Sequence, residues 1–387
     1  MHIGLDLTSL MRYRNGPDTA TRELVLALAR LDLVNRYTVF LNREDLAEFR
    51  PSLPENFRLA AWSTRNRAVR AFVQQTLIPA ECRRSSIDVL HSPSFLTPIL
   101  RGGARQIVTV HDMTFFSMPE VHSFLHRSRP FRRAVHWSAH HAGMIHVPSE
   151  ATRFALLQQW PEIPAGRIRV TPWGISPEFH PADPAAINQH RGRLSLPGRF
   201  ILFVGTLEPR KNLETLVAAY RRLVDAGDTV THLVIAGRPG WGCESILSLL
   251  NSPGLRGRVL VLGFVAQADL PWLYRAAKVF VYPSCYEGFG FPPLEALACG
   301  TPVISSEGSA LEENLRGAAE LTVPGDSAAL AMAIGRVLTE SKDANMLRVK
   351  RGLDRARGFH WRNTAQLVLS AYYELNESAP DYSPRRR

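Results

Sequence analysis

The stretch Glu287-Gly-Phe-Gly-Phe-Pro-Pro-Leu-Glu295 places two glycines and two prolines between two carboxylates. Pro292 and Pro293 cannot continue a helix but can begin one, so Glu287 belongs to a loop and Glu295 to the first turn of a helix over Pro292–Ala298. The preceding run ending at Tyr282 is apolar and typical of a short strand. The pattern predicts a strand, a glycine loop and a helix N-terminus, where backbone N–H groups can bind a polyhydroxylated or phosphorylated ligand.

Strand-like runs alternate with helical patterns along the rest of the chain. Repeated units of this kind predict an α/β protein with two doubly wound parallel sheets. Ligands of such sheets bind beyond the carboxyl ends of the strands, so we expect the active site in a cleft between the two domains. The predicted strands are Ile3–Leu7, Tyr37–Leu41, Arg58–Trp62, Asp88–His91, Gln106–Val110, Met144–Val147, Phe200–Val204, His232–Ala236, Val259–Leu262, Val279–Tyr282 and Val303–Ser305. The predicted helices are Thr19–Leu33, Ala68–Arg83, Ser123–His141, Ser149–Trp160, Asn212–Asp225, Leu270–Ala276, Ser327–Thr339 and Phe359–Leu375.

The segment Tyr286–Val303 resembles the E-x7-E signature of the retaining glycosyltransferases of family GT4, which have the GT-B fold. Other landmarks of that family have counterparts at Val110–Met113, Thr171–Ser176, Phe203–Leu213 and Gly263–Val265. The resemblance spans nearly the whole chain and is most specific between residues 200 and 325. Within the family it is strongest to mannosyltransferase-like members that build bacterial surface polysaccharides.

The length of 387 residues exceeds what one hydrophobic core usually supports, so two domains are expected. A proline-rich stretch over residues 172–197 marks the boundary. We predict an N-terminal Rossmann-like acceptor-side domain over residues 1–178 and a nucleotide-sugar-binding Rossmann-like domain over 179–358. The resemblance implies that the two domains face each other and that a helix over 359–376 crosses back to the first. Residues 377–387 are predicted to be a disordered tail.

Two adjacent cations, Arg210 and Lys211, follow a predicted strand and precede a helix. Such a loop suits a diphosphate, although a surface charge pair is an equally good interpretation of these residues alone. The resemblance implies that both cations stabilise the leaving nucleoside diphosphate. The chain has no D-x-D sequence, which is the usual Mg²⁺ or Mn²⁺ ligand pattern of sugar-diphosphate chemistry. We therefore expect metal-independent catalysis, with no metal ligands and no cofactor.

The resemblance assigns further roles around the glycine loop. Glu287 would orient the hydroxyls of the donor sugar, and Glu295 would bind the ribose hydroxyls. The nearby serine motif Ser309-Ala-Leu-Glu312 is a capping box and needs no functional explanation. Backbone N–H groups that would assist Glu287 belong to Gly288, Phe289, Gly290 and Phe291.

His111 follows a predicted strand and precedes Asp112. Taken alone, such a histidine is more often structural, but the Val-His-Asp context resembles the family histidine that contacts the donor sugar near the reacting carbon. By the same resemblance, Val265 lies in a loop that lines the nucleobase pocket. The histidines at 136, 140, 141 and 146 lack such a context, and we assign them no role.

The first strand–helix loop, Asn15–Glu23, departs from the family pattern of a Gly-x-Gly turn. Gly16 matches the first glycine and is a candidate substrate-binding residue. Asp18 stands where the second glycine is expected. We interpret Asp18 as the N-cap of the following helix or as a carboxylate that faces the acceptor.

The net charge is +11, carried mostly by arginine. Basic residues concentrate at Arg65–Arg70 and at Arg127–Arg133, the second in a helix with Phe131, Val135 and Trp137. This pattern is typical of a protein that meets an anionic membrane surface, or of an ordinary solvated helix face. Without a signal peptide or an apolar run of about 20 residues, the chain is predicted to be cytoplasmic, with peripheral binding at the inner face of the membrane. Its four cysteines are predicted to be reduced.

These observations predict a retaining, metal-independent glycosyltransferase. It would transfer a hexose, with GDP-mannose as the first choice of donor, to a hydroxyl of a glycan or lipid-linked glycan. Two alternatives stay open at this point: a nucleotide-sugar epimerase of similar fold, and an arginine-rich nucleic-acid-binding protein. Since no nucleic-acid-binding motif is present, we expect no nucleic acid partner.

Overall fold

The computed structural model describes residues 1–11, 15–119, 128–250 and 252–378. Two parallel sheets organise the chain into two compact units. The first unit comprises Met1–Met113, Ser128–Gly174 and Trp361–Arg387, and the second comprises Thr114–Arg127 and Ile175–His360. The predicted α/β class with two doubly wound parallel sheets is confirmed.

Seven strands form the sheet of the first unit and six form the sheet of the second. All strand pairs are parallel and most strand residues are buried, as expected where helices cover both faces. β7 and β13 were not predicted, since each has three residues at a sheet edge. The strands are β1 (His2–Asp6), β2 (Arg36–Asn42), β3 (Phe57–Trp62), β4 (Val89–Ser92), β5 (Arg105–Thr109), β6 (Met144–Val147), β7 (Ile168–Val170), β8 (Phe200–Val204), β9 (His232–Ala236), β10 (Val259–Gly263), β11 (Val279–Tyr282), β12 (Val303–Ser306) and β13 (Glu320–Thr322).

Helices connect these strands. A π-helical segment, Val73–Leu77, joins α3 to α4, so the predicted helix over Ala68–Arg83 forms with one wider turn. The helices are α1 (Gly16–Leu31), α2 (Leu46–Phe49), α3 (Arg67–Phe72), α4 (Ile78–Arg84), α5 (Thr114–Ser117), α6 (Arg129–His141), α7 (Glu150–Gln159), α8 (Pro184–Arg193), α9 (Leu213–Asp225), α10 (Glu244–Leu250), α11 (Leu270–Ala276), α12 (Phe291–Ala298), α13 (Ser309–Leu315), α14 (Ser327–Thr339), α15 (Lys342–Ala356) and α16 (Trp361–Glu377). The predicted start of α6 at Ser123 lies outside the described residues.

Strand order fixes where ligands can bind in each unit. The orders are β3-β2-β1-β4-β5-β6-β7 and β10-β9-β8-β11-β12-β13. In the first sheet β1 lies beside β4, and in the second sheet β8 lies beside β11. The strand order reverses direction at each of these two pairs. The carboxyl ends of such a pair leave a crevice between diverging loops, which is the usual ligand site of open α/β sheets. In the second unit this crevice lies beyond β8 and β11.

Of the helices that the sequence patterns did not predict, α8 and α15 are the two longest. α8 lies within the predicted linker, where Asp183 accepts a hydrogen bond from the Ala185 amide and Pro184 opens the helix. α15 escaped prediction because its buried surface is narrow: of its residues, Gly352 and Ala356 are buried. A narrow buried stripe gives a weak periodic signal.

The last helix, α16, belongs to the first unit and packs against α1. Its Tyr372 is fully buried, and the Tyr372 hydroxyl lies 2.7 Å from Nδ1 of His91 on β4. Asn35 donates to the Tyr373 hydroxyl at 2.7 Å. Of the predicted tail, residues 379–387 lie outside the described part of the chain.

Candidate active site

A charged cluster occupies the crevice beyond β8 and β11. Arg210 and Lys211 lie in the turn Pro209–Lys211 that follows β8, and Glu287 lies in the loop that follows β11. The Glu287 carboxylate binds both cations: one oxygen lies 2.6 Å from Nζ of Lys211, and the other lies 2.9 Å from the Arg210 guanidinium. The structure thus joins the adjacent residues Arg210 and Lys211 to Glu287, which lies 76 positions beyond Lys211 in sequence.

Glu287 is buried, and its environment holds it ionised. Burial alone would raise the pKa of Glu287, but the charges of Arg210 and Lys211 outweigh burial and lower it to about 2. The hydroxyl of Ser284 adds a hydrogen bond of 2.7 Å to the same carboxylate oxygen that binds Lys211. Glu287 is therefore a fixed negative charge at the switch point of the second sheet.

The two cations are themselves well anchored. Lys211 is buried, and burial followed by the charge of Arg210 lowers its pKa, while Glu287 opposes the shift. The Arg210 guanidinium donates to the carbonyl of Tyr286 at 2.7 Å and to the carboxylate of Glu208 at 2.9 Å. Cations fixed in this way need little reorganisation when negative charge develops beside them.

Three residues of the cluster escaped the sequence analysis: Glu208, Tyr282 and Ser284. The Tyr282 hydroxyl accepts from Lys211 at 2.7 Å and donates to Glu287 at 3.1 Å. Burial, followed by the charge of Glu287, raises the pKa of Tyr282, so its hydroxyl keeps the hydrogen. Tyr282 is the last residue of a predicted strand, and Ser284 lies two residues beyond it. Glu208 lies two residues before Arg210. Closeness in sequence to predicted site residues could therefore have identified all three.

The glycine loop turns directly into α12. Gly290 is the N-cap at φ +91°, and a Cβ there would lie 2.7 Å from a methyl carbon of Leu311, so only glycine fits. The helix begins at Phe291 rather than at the predicted Pro292. The side-chain amide of Asn314 donates a hydrogen bond of 2.8 Å to the carbonyl of Phe289 and so holds the glycine loop in place.

The predicted capping box at Ser309 is wrong in its register. Gly308 is the N-cap of α13, and the Glu312 carboxylate accepts from the Gly308 amide at 3.0 Å. Ser309 is the first helical residue, and its hydroxyl accepts from the amide of Glu287 at 3.3 Å. Glu312 does cap the helix, whereas Ser309 supports the loop that carries Glu287.

Glu295 lies one residue deeper in α12 than the sequence predicted. It is the fifth helical residue, outside the first turn, because the helix starts at Phe291. The side chain is buried, and its carboxyl accepts from the Tyr274 hydroxyl at 2.9 Å. Burial raises the pKa of Glu295 to about 7, against the opposing effect of the Tyr274 hydrogen bond. The Glu295 carboxyl therefore changes its protonation state near neutral pH, whereas the Glu287 carboxylate stays ionised.

We predict a pH-dependent stabilisation by Glu295→Gln. Between the unfolded pKa of about 4.5 and the folded pKa of about 7, the folded wild type keeps a proton that the unfolded chain has released. Its free energy of unfolding therefore falls as pH rises through that window, by up to about 3 kcal/mol. Glutamine does not titrate and can still accept from Tyr274. Denaturant unfolding at several pH values should show the variant gaining stability relative to wild type, with exposed Glu55→Gln as the control. A difference that is constant with pH would contradict this prediction.

Strand-end loops of β8, β9 and β10 adjoin the charged cluster. The amide of Gly237 donates to the carbonyl of Gly263 at 2.7 Å, and a Cβ on Gly237 would lie 1.8 Å from the carbonyl oxygen of Gly205. The three loops are thus in backbone contact. Val265 lies in the loop after β10, partly exposed, and the guanidinium of Arg238 stacks 4.0 Å over the ring of exposed Phe264. This planar pair is a surface on which a nucleobase can stack.

His111 follows β5 in the first unit and is buried. Its Nε2 lies 3.0 Å from the carbonyl oxygen of Pro93, which can only accept, so Nε2 carries the hydrogen. Burial lowers the pKa of His111, against the raising effects of Pro93 and Asp112, and the ring is neutral. Edge and tilted contacts with Phe95 and Trp173, at 5.5 and 5.9 Å between centroids, fix its plane.

The loop before α1 corrects the prediction for Asp18. Asn15, not Asp18, is the N-cap: its side chain accepts from the Asp18 amide at 2.9 Å. Asp18 is instead buried in the first turn, where its carboxyl accepts from the Met11 amide at 3.2 Å. Burial raises its pKa to about 6. Gly16 is the first helical residue and is exposed, and residues 12–14 of this loop lie outside the described chain.

Two doubly wound parallel sheets, with a cationic switch-point loop beside a glycine loop and helix, define a glycosyltransferase of the GT-B class. Residues 14–179 match Glycosyltransferase Family 4, and residues 188–350 match Glycosyl transferases group 1. The chain is 33% identical over 285 residues to O-antigen chain mannosyltransferase B of Escherichia coli, covering 73% of this chain and 74% of that protein. The chain therefore belongs to the GT4 glycosyltransferases and is a hexosyltransferase.

Solved structures agree with this assignment of the fold. Sucrose-phosphate synthase from Thermosynechococcus elongatus superimposes with a TM-score of 0.76 at 25% identity, covering 97% of this chain and 98% of that one. HepE of Anabaena, in complex with UDP-glucose, superimposes with a TM-score of 0.77 at 18% identity, covering 97% and 100%. The predicted GT-B class is confirmed.

Proposed function

We propose that the protein is a retaining, metal-independent glycosyltransferase that moves mannose from GDP-mannose to a hydroxyl of a glycan or lipid-linked glycan. The observation that carries the proposal is the ion-pair cluster of buried Lys211, buried Glu287 and partly buried Arg210 at the switch point of the second sheet. Mannose is favoured as the sugar because a relative 33% identical to this chain is named an O-antigen chain mannosyltransferase. A nucleotide-sugar donor is supported by the structural neighbour that holds UDP-glucose.

Arg210 and Lys211 would stabilise the leaving nucleoside diphosphate. As the bond between the sugar and the diphosphate breaks, negative charge grows on the phosphate oxygens. Two fixed cations beside the N-terminus of α12 would stabilise that charge, and the amides of Gly288, Phe289, Gly290 and Phe291 along the loop would assist them. Glu287 and Glu208 bind these cations, so a diphosphate bound there would share or replace carboxylate contacts.

The remaining candidate residues have roles in orienting the donor. Glu287 is ionised and would accept hydrogen bonds from the sugar hydroxyls, and Glu295 would bind the ribose hydroxyls. Val265 would lie against the nucleobase, next to the Arg238–Phe264 pair. In the first unit, neutral His111 would contact the donor sugar near the reacting carbon. Gly16 has no side chain, so the backbone at the start of α1 could approach the substrate closely.

A donor screen tests the proposed function. Purified protein is mixed with GDP-mannose, GDP-glucose, UDP-glucose and UDP-N-acetylglucosamine, and the melting temperature and the slow release of free sugar are measured. We expect the largest shift and the fastest release with GDP-mannose. Equal responses to all four donors, or none, would contradict the proposal.

We predict that transfer activity persists in excess EDTA. The chain lacks a D-x-D sequence and places Arg210 and Lys211 where a metal ion would otherwise balance the diphosphate. The measurement is the initial transfer rate before and after chelation and desalting. Loss of activity that Mg²⁺ or Mn²⁺ restores would show that the phosphate chemistry depends on a metal.

We further propose that α6 brings the enzyme to an anionic membrane surface, where a lipid-linked acceptor would lie. Among the described residues, no helix is long and apolar enough to cross a bilayer. On α6, Arg129 and Arg133 are exposed and Arg132 is partly exposed. Phe131 and Trp137 are partly exposed as well and could insert shallowly, whereas Val135 lies in the core of the first unit.

We expect cosedimentation with anionic vesicles at low salt and release at high salt. Each arginine near an anionic leaflet contributes on the order of 1 kcal/mol, screened over about 10 Å. Changing Arg129, Arg132 and Arg133 to Glu should weaken binding. The charge-matched control changes the exposed Arg221, Arg222 and Arg256 of the second unit to Glu. Equal losses in both triple variants would assign the effect to net charge rather than to α6.

A further inference from the structure

A cluster of two histidines and one glutamate lies on the surface of the first unit. His136 and His140 occupy successive turns of α6, and Glu162 lies in the turn that follows α7. One ligand atom from each side chain can be chosen so that all three lie within 4.8 Å of one another. Nε2 of His140 is 3.0 Å from Oε1 of Glu162, and Nε2 of His136 is 3.6 Å from the same oxygen. The proposed glycosyl transfer uses none of these residues.

Hydrogen bonding determines which nitrogen of His140 faces the carboxylate. Its Nδ1 lies 3.1 Å from the backbone carbonyl oxygen of His136, which can only accept, so Nδ1 carries the hydrogen. In the neutral ring, Nε2 then presents a lone pair toward the carboxylate oxygen of Glu162. Two atoms that bear lone pairs repel each other at this distance. A cation, either a proton on the ring or a metal ion, relieves the repulsion.

The surroundings hold the three side chains in place. The rings of His136 and His140 lie 4.1 Å apart, and buried Trp160 packs edge-on against them at 5.3 and 6.4 Å between centroids. Arg167 donates to the carbonyls of Ala139 and His140 at 3.1 and 3.0 Å, which ties the end of α6 to the segment after α7. Ligands that are positioned before the ion arrives lose little freedom on binding it.

We propose that His136, His140 and Glu162 bind a divalent transition-metal ion of the Zn²⁺ type, with an exogenous ligand such as water completing the coordination. Imidazole nitrogen favours Zn²⁺, Cu²⁺ and Ni²⁺ over Mg²⁺ and Ca²⁺. Two histidines four residues apart on a helix, together with a carboxylate, form a ligand set that suits tetrahedral zinc. The ion would link α6 to the turn after α7 and stabilise the first unit, because it binds the folded arrangement. This proposal is independent of the proposed function.

The test is a calorimetric titration of Zn²⁺ into full-length protein without an affinity tag, after EDTA treatment and desalting. It is run at about pH 8, because zinc binds the deprotonated form of imidazole. We expect one zinc ion per chain, and no heat of binding with Mg²⁺. His140→Gln and Glu162→Gln should each raise the dissociation constant for Zn²⁺ by at least about tenfold.

The control is His141→Gln, one residue along the same helix. The His141 ring has the same local contact, with Nδ1 2.9 Å from the carbonyl of Trp137, but it stacks on Trp137 and lies outside the cluster. Zinc binding by this variant should match wild type. Zinc should also raise the melting temperature of wild type and of His141→Gln but not of Glu162→Gln, whose exposed side chain we expect to be replaceable without loss of the fold. Absence of zinc binding to wild type, or wild-type affinity in both ligand variants, would overturn the proposal.

Discussion

Replacing Lys211 by Met should lower the turnover number of glycosyl transfer by about 100-fold or more while the protein stays folded. Methionine keeps the unbranched apolar part of the side chain but removes the fixed charge that we place beside the leaving diphosphate. Loss of one preorganised charge-stabilising group costs roughly 10²–10³ in turnover. Glu287 keeps its ionic contact with Arg210 and its hydrogen bond from Ser284, so the fold should tolerate the change. The measurement is a steady-state assay with the preferred donor, together with thermal unfolding.

Lys350→Met is the matched control, since Lys350 is an exposed lysine on α15. It should keep wild-type turnover and melting temperature. Turnover by Lys211→Met within threefold of wild type, at an unchanged melting temperature, would remove Lys211 from the proposed leaving-group site.

Glu287→Gln should destabilise the protein as well as inactivate it. Glu287 is the carboxylate that offsets both Arg210 and buried Lys211, and its loss leaves buried positive charge poorly compensated. Breaking a buried ion pair in this way costs about 3–5 kcal/mol. Because the two cations hold the pKa of Glu287 at about 2 in the folded protein, its stabilisation is fully present above the unfolded pKa of about 4.5. That stabilisation disappears as pH falls toward 2.

Denaturant unfolding of Glu287→Gln and wild type should therefore differ most near neutral pH and converge on acidification. This is the opposite sign to Glu295→Gln, whose stability relative to wild type should rise with pH. Glu55→Gln again serves as the exposed control. If Glu287→Gln unfolds at the same denaturant concentration as wild type at pH 7, the buried ion-pair cluster does not contribute to the fold as described.

Hydrophobic periodicity and the alternation of strand-like and helical segments predicted most of the fold. Apolar runs such as Phe200–Val204 and Met144–Val147 are fully specified by sequence, and the strands observed there have the same bounds. β7 and β13 were missed because three-residue edge strands carry little pattern. α1 was predicted to start too late because Asp18 was preferred over Asn15 as the cap, although both residue types serve that position well.

The site was predicted as separate residues but not as a cluster. Lys211 and Glu287 are 76 positions apart, and their contact follows from the adjacency of β8 and β11, which local sequence does not encode. For the same reason the pairing of Glu295 with Tyr274, and the contact of Glu162 with His140, could not be predicted. Long-range contacts of this kind also determine pKa values, so the opposite shifts of Glu287 and Glu295 became apparent only in the structure.

The most direct test of the proposed site is a crystal structure of the protein with the preferred nucleoside diphosphate, prepared in EDTA. We predict that the phosphate oxygens lie within hydrogen-bonding distance of Nζ of Lys211 and of the Arg210 guanidinium, next to the loop that opens α12. The nucleobase should lie near Val265. A diphosphate bound elsewhere, or the absence of bound diphosphate in EDTA with binding restored by Mg²⁺, would contradict the proposed site.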